Sequence, residues 1–424
     1  MIKFFSANKI KISFLFLLLL VIFFINIDLF GIKKLIYKNY PNLVLRKEFF
    51  ERNSILENVN NDYNVKFLPD TQYVQLNLVT KKIKFSSENY SKDKSTKSGV
   101  VKPRASNFYL EIINNNLWMI DSLGKIYELK KEQIIDSDPT NTEVKIIDSN
   151  FSAERVLDTY AYNDNFYISF LREENGCKTL NIVSAKINDK SLNFKKFFES
   201  NECGELILGG RMQFYKHFDK EGILITTSGH SNDRPNNKPQ DDNSIFGKTL
   251  FLDLKGKNLL VFSRGHRVAQ GMYANQNIIL QTEHGPRGGD EINRIIYNKN
   301  YGWPISSYGE KYGIVNPQKP NYIKSHSEMN FEEPIFAFVP SVGISELIKL
   351  PDTFSPFFKN NFLISSLNGG TLYRVKFDEK YTRLIFKENI FIGKRIRDLK
   401  FHNELNVILL ALEENSEIGI ISKK

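Results

Sequence analysis

From Asn107 onward the chain repeats one pattern, strand-like runs of four to six residues punctuated by turn residues. Phe108–Ile113, the Asn114–Asn116 turn, Leu117–Asp121 and Ile126–Leu129 make the first such meander. Further units begin near Val156, Arg211, Gln270, Ile344 and Arg397, which brings the total to six, unevenly spaced by roughly 45 to 75 residues. Hairpin signals such as Tyr162–Phe166 and Asp219–Gly222 lie inside them. Six recurrences of a short meander predict an all-β fold, a six-bladed β-propeller in preference to a sandwich. In such a ring the innermost strands converge on a central channel. Loops from distant segments then meet at one end, and chemistry is expected there.

The 34 Phe and 19 Tyr agree with a strand-built core. A formal charge of +10 raises nucleic acid or an anionic membrane as partner. The lysines are scattered, and no stripe of Arg interleaved with stacking aromatics occurs, so nucleic acid is not expected.

Before the meanders, Phe14–Ile25 is an unbroken apolar run preceded by Lys3, Lys9 and Lys11. Taken as one helix, Ile12–Ile32 spans about 30 Å, the thickness of a hydrocarbon core. The residues after the run carry no small-x-small cleavage site, which favours an uncleaved transmembrane signal-anchor helix. The expected organisation is a signal anchor over 1–32, a tether and N-terminal segment over 33–104, and the propeller over 105–424. Within the tether, Leu43–Asn58 is read as a short helix and Gln72–Phe85 alternates like a strand. Ser86–Arg104 is rich in Ser, Lys and Gly and is read as a loop. Cys177 and Cys203, the two cysteines, form a disulfide in an oxidising compartment or stay as two buried thiols.

No phosphate-binding Gly-Lys loop, dinucleotide fingerprint, Gly-x-Ser-x-Gly elbow or His-Glu-x-x-His pair is present, and no two of the six His have zinc spacing. Four unusual loops remain. His284–Glu291 places Gly and Pro beside carboxylates, and carbonyls with carboxylates are the hard oxygen ligands that calcium accepts, although a structural turn has the same composition. Gly229–Asn243 is too long and polar for a hairpin. Gly265–Gly271 carries His266 and Arg267. In Gly393–Asp398, Arg395 and Arg397 alternate onto one strand face, where paired guanidinium forks suit a polycarboxylate; taken singly, each suits a surface ion pair.

Together GGRMQF, the Thr-Ser-Gly-His loop, DDNSIFGK, GHRVAQGM, TEHGPRGGDEIN, KNYGWPISSYG and RIRD, spread over 209–398, resemble the glucose/sorbosone dehydrogenase family, especially its soluble aldose sugar dehydrogenases. The resemblance implies a six-bladed propeller, pyrroloquinoline quinone (PQQ), calcium, a sugar substrate and a periplasmic location. It implies that the Gly285 and Pro286 carbonyls bind calcium and that Arg267, Arg395 and Arg397 hold the quinone. Three positions depart from the family pattern. Its base His is Ile207 here, an expected Asn is Val268, and an expected Lys is Asn368. The acid that supports the base is replaced by His230, which makes His230 the candidate base. The alternatives are a catalytically silent propeller that binds a sugar, glycan or protein at the same face, and a different calcium-dependent propeller enzyme such as a lactone hydrolase. The electron acceptor is not legible in the sequence.

Overall fold

The computed structural model describes residues 65–68, 74–83, 107–136, 143–153, 155–187, 191–204, 208–229, 238–311, 322–413 and 416–423. The anchor read over 1–32, the helix at 43–58 and the loop at 86–104 lie outside them. Among the described residues no helix is long and apolar enough to cross a membrane.

Six antiparallel sheets form a β-propeller. Blade 1 is β3–β6 (Phe108–Ile113, Asn116–Asp121, Ile126–Leu129, Lys145–Ile147), with the one-turn helix α1 (Lys131–Ile135) before its last strand. Blade 2 is β7–β10 (Arg155–Tyr162, Asn165–Glu174, Cys177–Lys186, Lys195–Glu199), and blade 3 is β11–β14 (Gly209–His217, Lys220–Thr227, Lys248–Asp253, Leu259–Arg264). Blade 4 is β15–β18 (Ala269–Ala274, Ile279–Glu283, Asp290–Arg294, Phe336–Phe338). Blade 5 is β19–β22 (Ile344–Lys349, Phe362–Ser366, Thr371–Phe377, Leu384–Phe391). All six expected starting points fall within an innermost strand.

Blade 6 combines both ends of the propeller. β23–β25 (Ile396–His402, Val407–Leu412, Glu417–Lys423) are joined by β2 (Leu76–Lys82) and then β1 (Val65–Leu68). β2 pairs with β25 from Leu76↔Lys423 to Lys82↔Glu417, so the strand read in 72–85 closes the ring and covers an edge that would otherwise be open. The buried Lys81 ammonium bonds the Gln133 carbonyl at 2.7 Å, which ties this strand to blade 1.

The core is a set of interfaces between blades. β24 is buried along its whole length, yet its side chains divide by period two. Ile408, Leu410 and Leu412 pack toward blade 5, while Val407, Leu409 and Ala411 pack toward blade 1. A strand covered on both faces therefore reads as a continuous apolar run. In blade 2 the two cysteines form a disulfide, Cys177–Cys203, with Cα atoms 5.4 Å apart, which secures the β8–β9 hairpin to the segment after β10.

Candidate functional site

The innermost strands bring charge into the channel by the same local device. Five of the six slip register against their neighbour, between Val156 and Asp158, Gly209 and Met212, Ala269 and Gly271, Ile344 and Leu347, and Ile396 and Asp398. Each bulge turns a polar residue toward the axis. In blade 3 this needs glycine: Gly210 has φ +83°, and a Cβ there would lie 2.5 Å from that of Leu157.

At the centre stands Arg211, 3% exposed. Its Nη1 lies 2.8 Å from Asp158, 2.8 Å from Glu346 and 3.1 Å from Asp398, carboxylates from three other blades. Its Nη2 donates to the Arg397 carbonyl at 3.1 Å, and its guanidinium lies 5.1 Å from the Tyr109 ring. Beside it Lys400 pairs with Glu111 at 3.1 Å. The channel is thus plugged by an ion cluster in which carboxylates outnumber cations.

Burial pushes Glu346 up to about 8 and Asp158 up to about 6, against the pull of Arg211 and with the help of Asp398. Both folded values lie above the ordinary 4.5 and 3.8, so the folded protein keeps protons that the unfolded chain releases. Their contribution to stability is complete below about pH 4 and falls as pH rises through these folded values. Glu346→Gln keeps a bonding partner for Arg211 without the titration. Unfolding free energies measured across this range should show a flatter pH dependence in the variant than in the parent.

Directly above the cluster lies the channel mouth, formed by the loops joining second to third strands and successive blades. Arg397 donates from Nη1 to the Gln270 side chain at 3.0 Å and pairs with Glu413. Arg395 donates from Nε to the other Glu413 oxygen at 2.9 Å. Burial alone would raise the Glu413 carboxyl, but Arg397 and Arg395 outweigh it and hold it below its usual range. One carboxylate therefore orients two guanidinium groups. The Arg395 side chain is 37% exposed and keeps terminal N–H groups for an anion.

Arg267 is buried at the same mouth, 5.2 Å from the Trp303 ring. Its Nη1 donates to the Gly285 carbonyl at 2.7 Å and to that of His284 at 3.1 Å. Its backbone N–H donates to Glu283, whose other oxygen lies 3.0 Å from His266 Nδ1. His266 Nε2 is 2.8 Å from Ser263 Oγ. This Ser–His–Glu chain has the connectivity of a nucleophilic triad, but His266 is 0% and Ser263 1% exposed. No substrate reaches the serine, and the chain serves to position the Arg267 peptide.

The turn after β16 is shaped by Asp290. Its Oδ1 accepts from Gly285 N at 3.1 Å, and Oδ2 accepts from Val342, Gly343 and Ile344 N at 2.7–3.1 Å. Gly285 is required by this tight path, since a Cβ would meet the Gly289 carbonyl at 2.0 Å. Pro286 packs on Gly309 beside it. His284 is half-buried within reach of the Arg397 and Arg267 guanidinium groups. Burial lowers its pKa, as do Arg397 and Arg267 against the opposing Asp290, and Nε2 has no hydrogen-bond partner among the described residues. A recess lined by Arg267, His284, Glu291, Trp303, Ser306 and His326 opens here, with room for about one water molecule. His326 Nδ1 lies 3.0 Å from the Tyr301 carbonyl, and its Nε2 lies 3.4 Å from Glu291.

The structure thus brings Arg267, Arg395, Arg397 and Gly285 to one mouth, as the motifs suggested. Val268 is buried, its carbonyl accepting His284 N at 2.8 Å, and Asn368 is exposed at the β20–β21 turn. Ile207 and His230 lie outside the described residues. The sequence reading missed Asp158, Glu346 and Glu413, and Arg211 as a site residue. The available signal was an isolated charge in an apolar strand, as in Ile344–Lys349, ISELIK.

Quinone and calcium fare differently against this geometry. The arginines fit an anionic cofactor, because Glu413 pre-orients two of them and leaves N–H groups of Arg395 for it. The Gly285 carbonyl does not fit calcium as placed, because the Arg267 guanidinium already sits 2.7 Å from its oxygen and would repel a second cation there. The carboxylate that bonds Gly285 N, Asp290, is spent on four backbone N–H groups.

A family model described as glucose/sorbosone dehydrogenase matches residues 154–420. The aldose sugar dehydrogenase YliI of Escherichia coli is 28% identical over 236 residues, 51% of this chain and 60% of that protein. Quinoprotein glucose dehydrogenase B of Acinetobacter calcoaceticus is 24% identical over 293 residues, 64% of this chain and 56% of that protein. The chain spans about three-fifths or less of the length of the curated relatives it matches. The apo-form structure of the Escherichia coli soluble aldose sugar dehydrogenase superposes with a TM-score of 0.60 at 20% identity, covering 76% of this chain and 97% of that one. The PQQ-bound aldose sugar dehydrogenase from Streptomyces coelicolor gives 0.55 at 16% identity, covering 82% and 98%. These structures share the fold.

Proposed function

The chain belongs to the glucose/sorbosone dehydrogenase family, and from that membership we propose that its channel mouth binds a pyrroloquinoline-type quinone and oxidises an aldose. The observation that carries this reading is the cation set, Arg395 and Arg397 held by one buried carboxylate with Arg267 at the same mouth. When bound, the quinone would supply the acceptor for hydride from the sugar's anomeric carbon. Arg395 and Arg397 would hold its carboxylates through forked bonds. Arg267 keeps the Gly285 carbonyl for itself, so this reading includes no metal ion at that carbonyl.

The proton of the anomeric hydroxyl needs an acceptor, and the family's base position is Ile207. His230 is the proposed base. His230→Ala is expected to slow aldose-dependent dye reduction by about 10²–10⁴-fold with quinone affinity retained; full activity in that variant would remove His230 from the mechanism. Ile207 also favours a second reading, a catalytically silent propeller that binds a sugar or glycan at the same mouth. Quinone binding with aldose-dependent turnover separates the first reading from the second. The Cys177–Cys203 bond supports a location outside the cytoplasm, the periplasm in a cell that has one.

A further inference from the structure

The end of the propeller opposite the mouth is built from the hairpins that join first to second and third to fourth strands. At these tips in blades 1 and 2 the left-handed positions are filled by Asn114, Asn115, Asn163 and Asp164, with φ of +51°, +62°, +46° and +59°. Short polar side chains tolerate that region. Blade 3 places Phe218 there instead, at φ +51° and 78% exposed. A bulky ring is strained in this conformation, and burial in the core offers no compensation.

Phe218 has aromatic company. Its ring centre is 4.4 Å from that of His217 and 6.5 Å from that of Tyr297, itself 41% exposed. Phe357, 61% exposed, stands in the β19–β20 connection at the same end of blade 5. These are the three exposed large aromatic side chains among the described residues, and all three lie at this end. Exposed Lys216 and Lys220 stand beside Phe218 together with exposed Asp219 and Glu221, and exposed Lys255 and Lys257 in the next hairpin of the same blade give the cations the majority.

Aromatic tips beside lysines that outnumber the neighbouring carboxylates match a membrane–water interface. Rings settle at the headgroup boundary, while lysine stems lie along it and their ammonium groups reach anionic headgroups. The chain's +10 charge suits an anionic surface, and its sequence carries the apolar run Phe14–Ile25, joined to β1 by residues 26–64. We propose that the face bearing Phe218, Tyr297 and Phe357 rests on an anionic lipid bilayer, which turns the channel mouth toward soluble substrate.

The test uses the full chain reconstituted in vesicles of phosphatidylcholine and phosphatidylglycerol with brominated acyl chains. Phe218→Trp places an indole on the proposed face, and Leu123→Trp places one in the β4–β5 loop at the mouth, at a position 43% exposed. After subtraction of the parent signal, emission from position 218 should be quenched about twofold, as for a ring roughly 5–10 Å into the headgroup boundary. Position 123 should be unaffected, and quenching at 218 should weaken when phosphatidylglycerol is omitted. An unquenched indole at 218, equal quenching at both positions, or indifference to phosphatidylglycerol would each overturn the proposal. None of these outcomes depends on quinone binding, so this proposal and the functional one fail separately.

Discussion

Replacing Arg211 with methionine is expected to cost about 3–5 kcal/mol of folding stability, the largest effect of any single change outside the blade interfaces. The side chain lies within 3.1 Å of three carboxylates, and all four groups are buried. Methionine preserves much of the packing volume while leaving Asp158, Glu346 and Asp398 with no cation between them. Two of these carboxyls already sit high, and loss of Arg211 removes the charge that opposes their protonation. The variant should therefore lose more stability at high pH than at low pH. Adding Glu346→Gln to it should recover part of the loss at high pH, where it removes a carboxyl that would otherwise have to ionise in the interior. Chemical unfolding of the parent, the single variant and the double variant measures all three terms. A single variant as stable as the parent would mean that the cluster does not hold the blades together.

Arg395→Ala is expected to weaken quinone binding by about ten- to a hundredfold, the loss typical of a hydrogen bond to a charged group. Stability should change little, by about 1 kcal/mol or less, because Arg395 is partly exposed and screened by solvent. Glu413 also keeps Arg397 as its partner. Arg395→Lys retains the charge but lacks the fork, and should bind with intermediate affinity. Equal affinity in the alanine variant and the parent would place the quinone elsewhere or nowhere on this chain. The comparison separates a binding role from a structural one, which Arg397 does not allow, since its side chain is 11% exposed and held by both Glu413 and Gln270.

The ring was legible because each blade opens with a recognisable strand: Phe108, Val156, Arg211, Gln270, Ile344 and Arg397 all fall in innermost strands. The closure of blade 6 was less so. The strand at 72–85 could be read, but its pairing joins Leu76 to Lys423, and local patterning carries no information about a partner so far along the chain. The site divides in the same way. Arg267, Gly285, Arg395 and Arg397 announced themselves through local motifs. What Gly285 and Arg267 do to each other depends on how two loops approach, and spacing does not encode that. Asp158, Glu346 and Asp398 converge on Arg211 because bulges in separate blades turn inward together, although each alone reads as an isolated charge in an apolar strand.

In the proposed function the arginines of the mouth hold a quinone while Arg267 keeps the Gly285 carbonyl from a metal. Titration of pyrroloquinoline quinone into the calcium-stripped protein, followed by the cofactor's absorbance, tests it directly. A saturable shift of equal midpoint with chelator and with added calcium is the predicted result. No shift under either condition, or a shift that appears only when calcium is supplied, would contradict it.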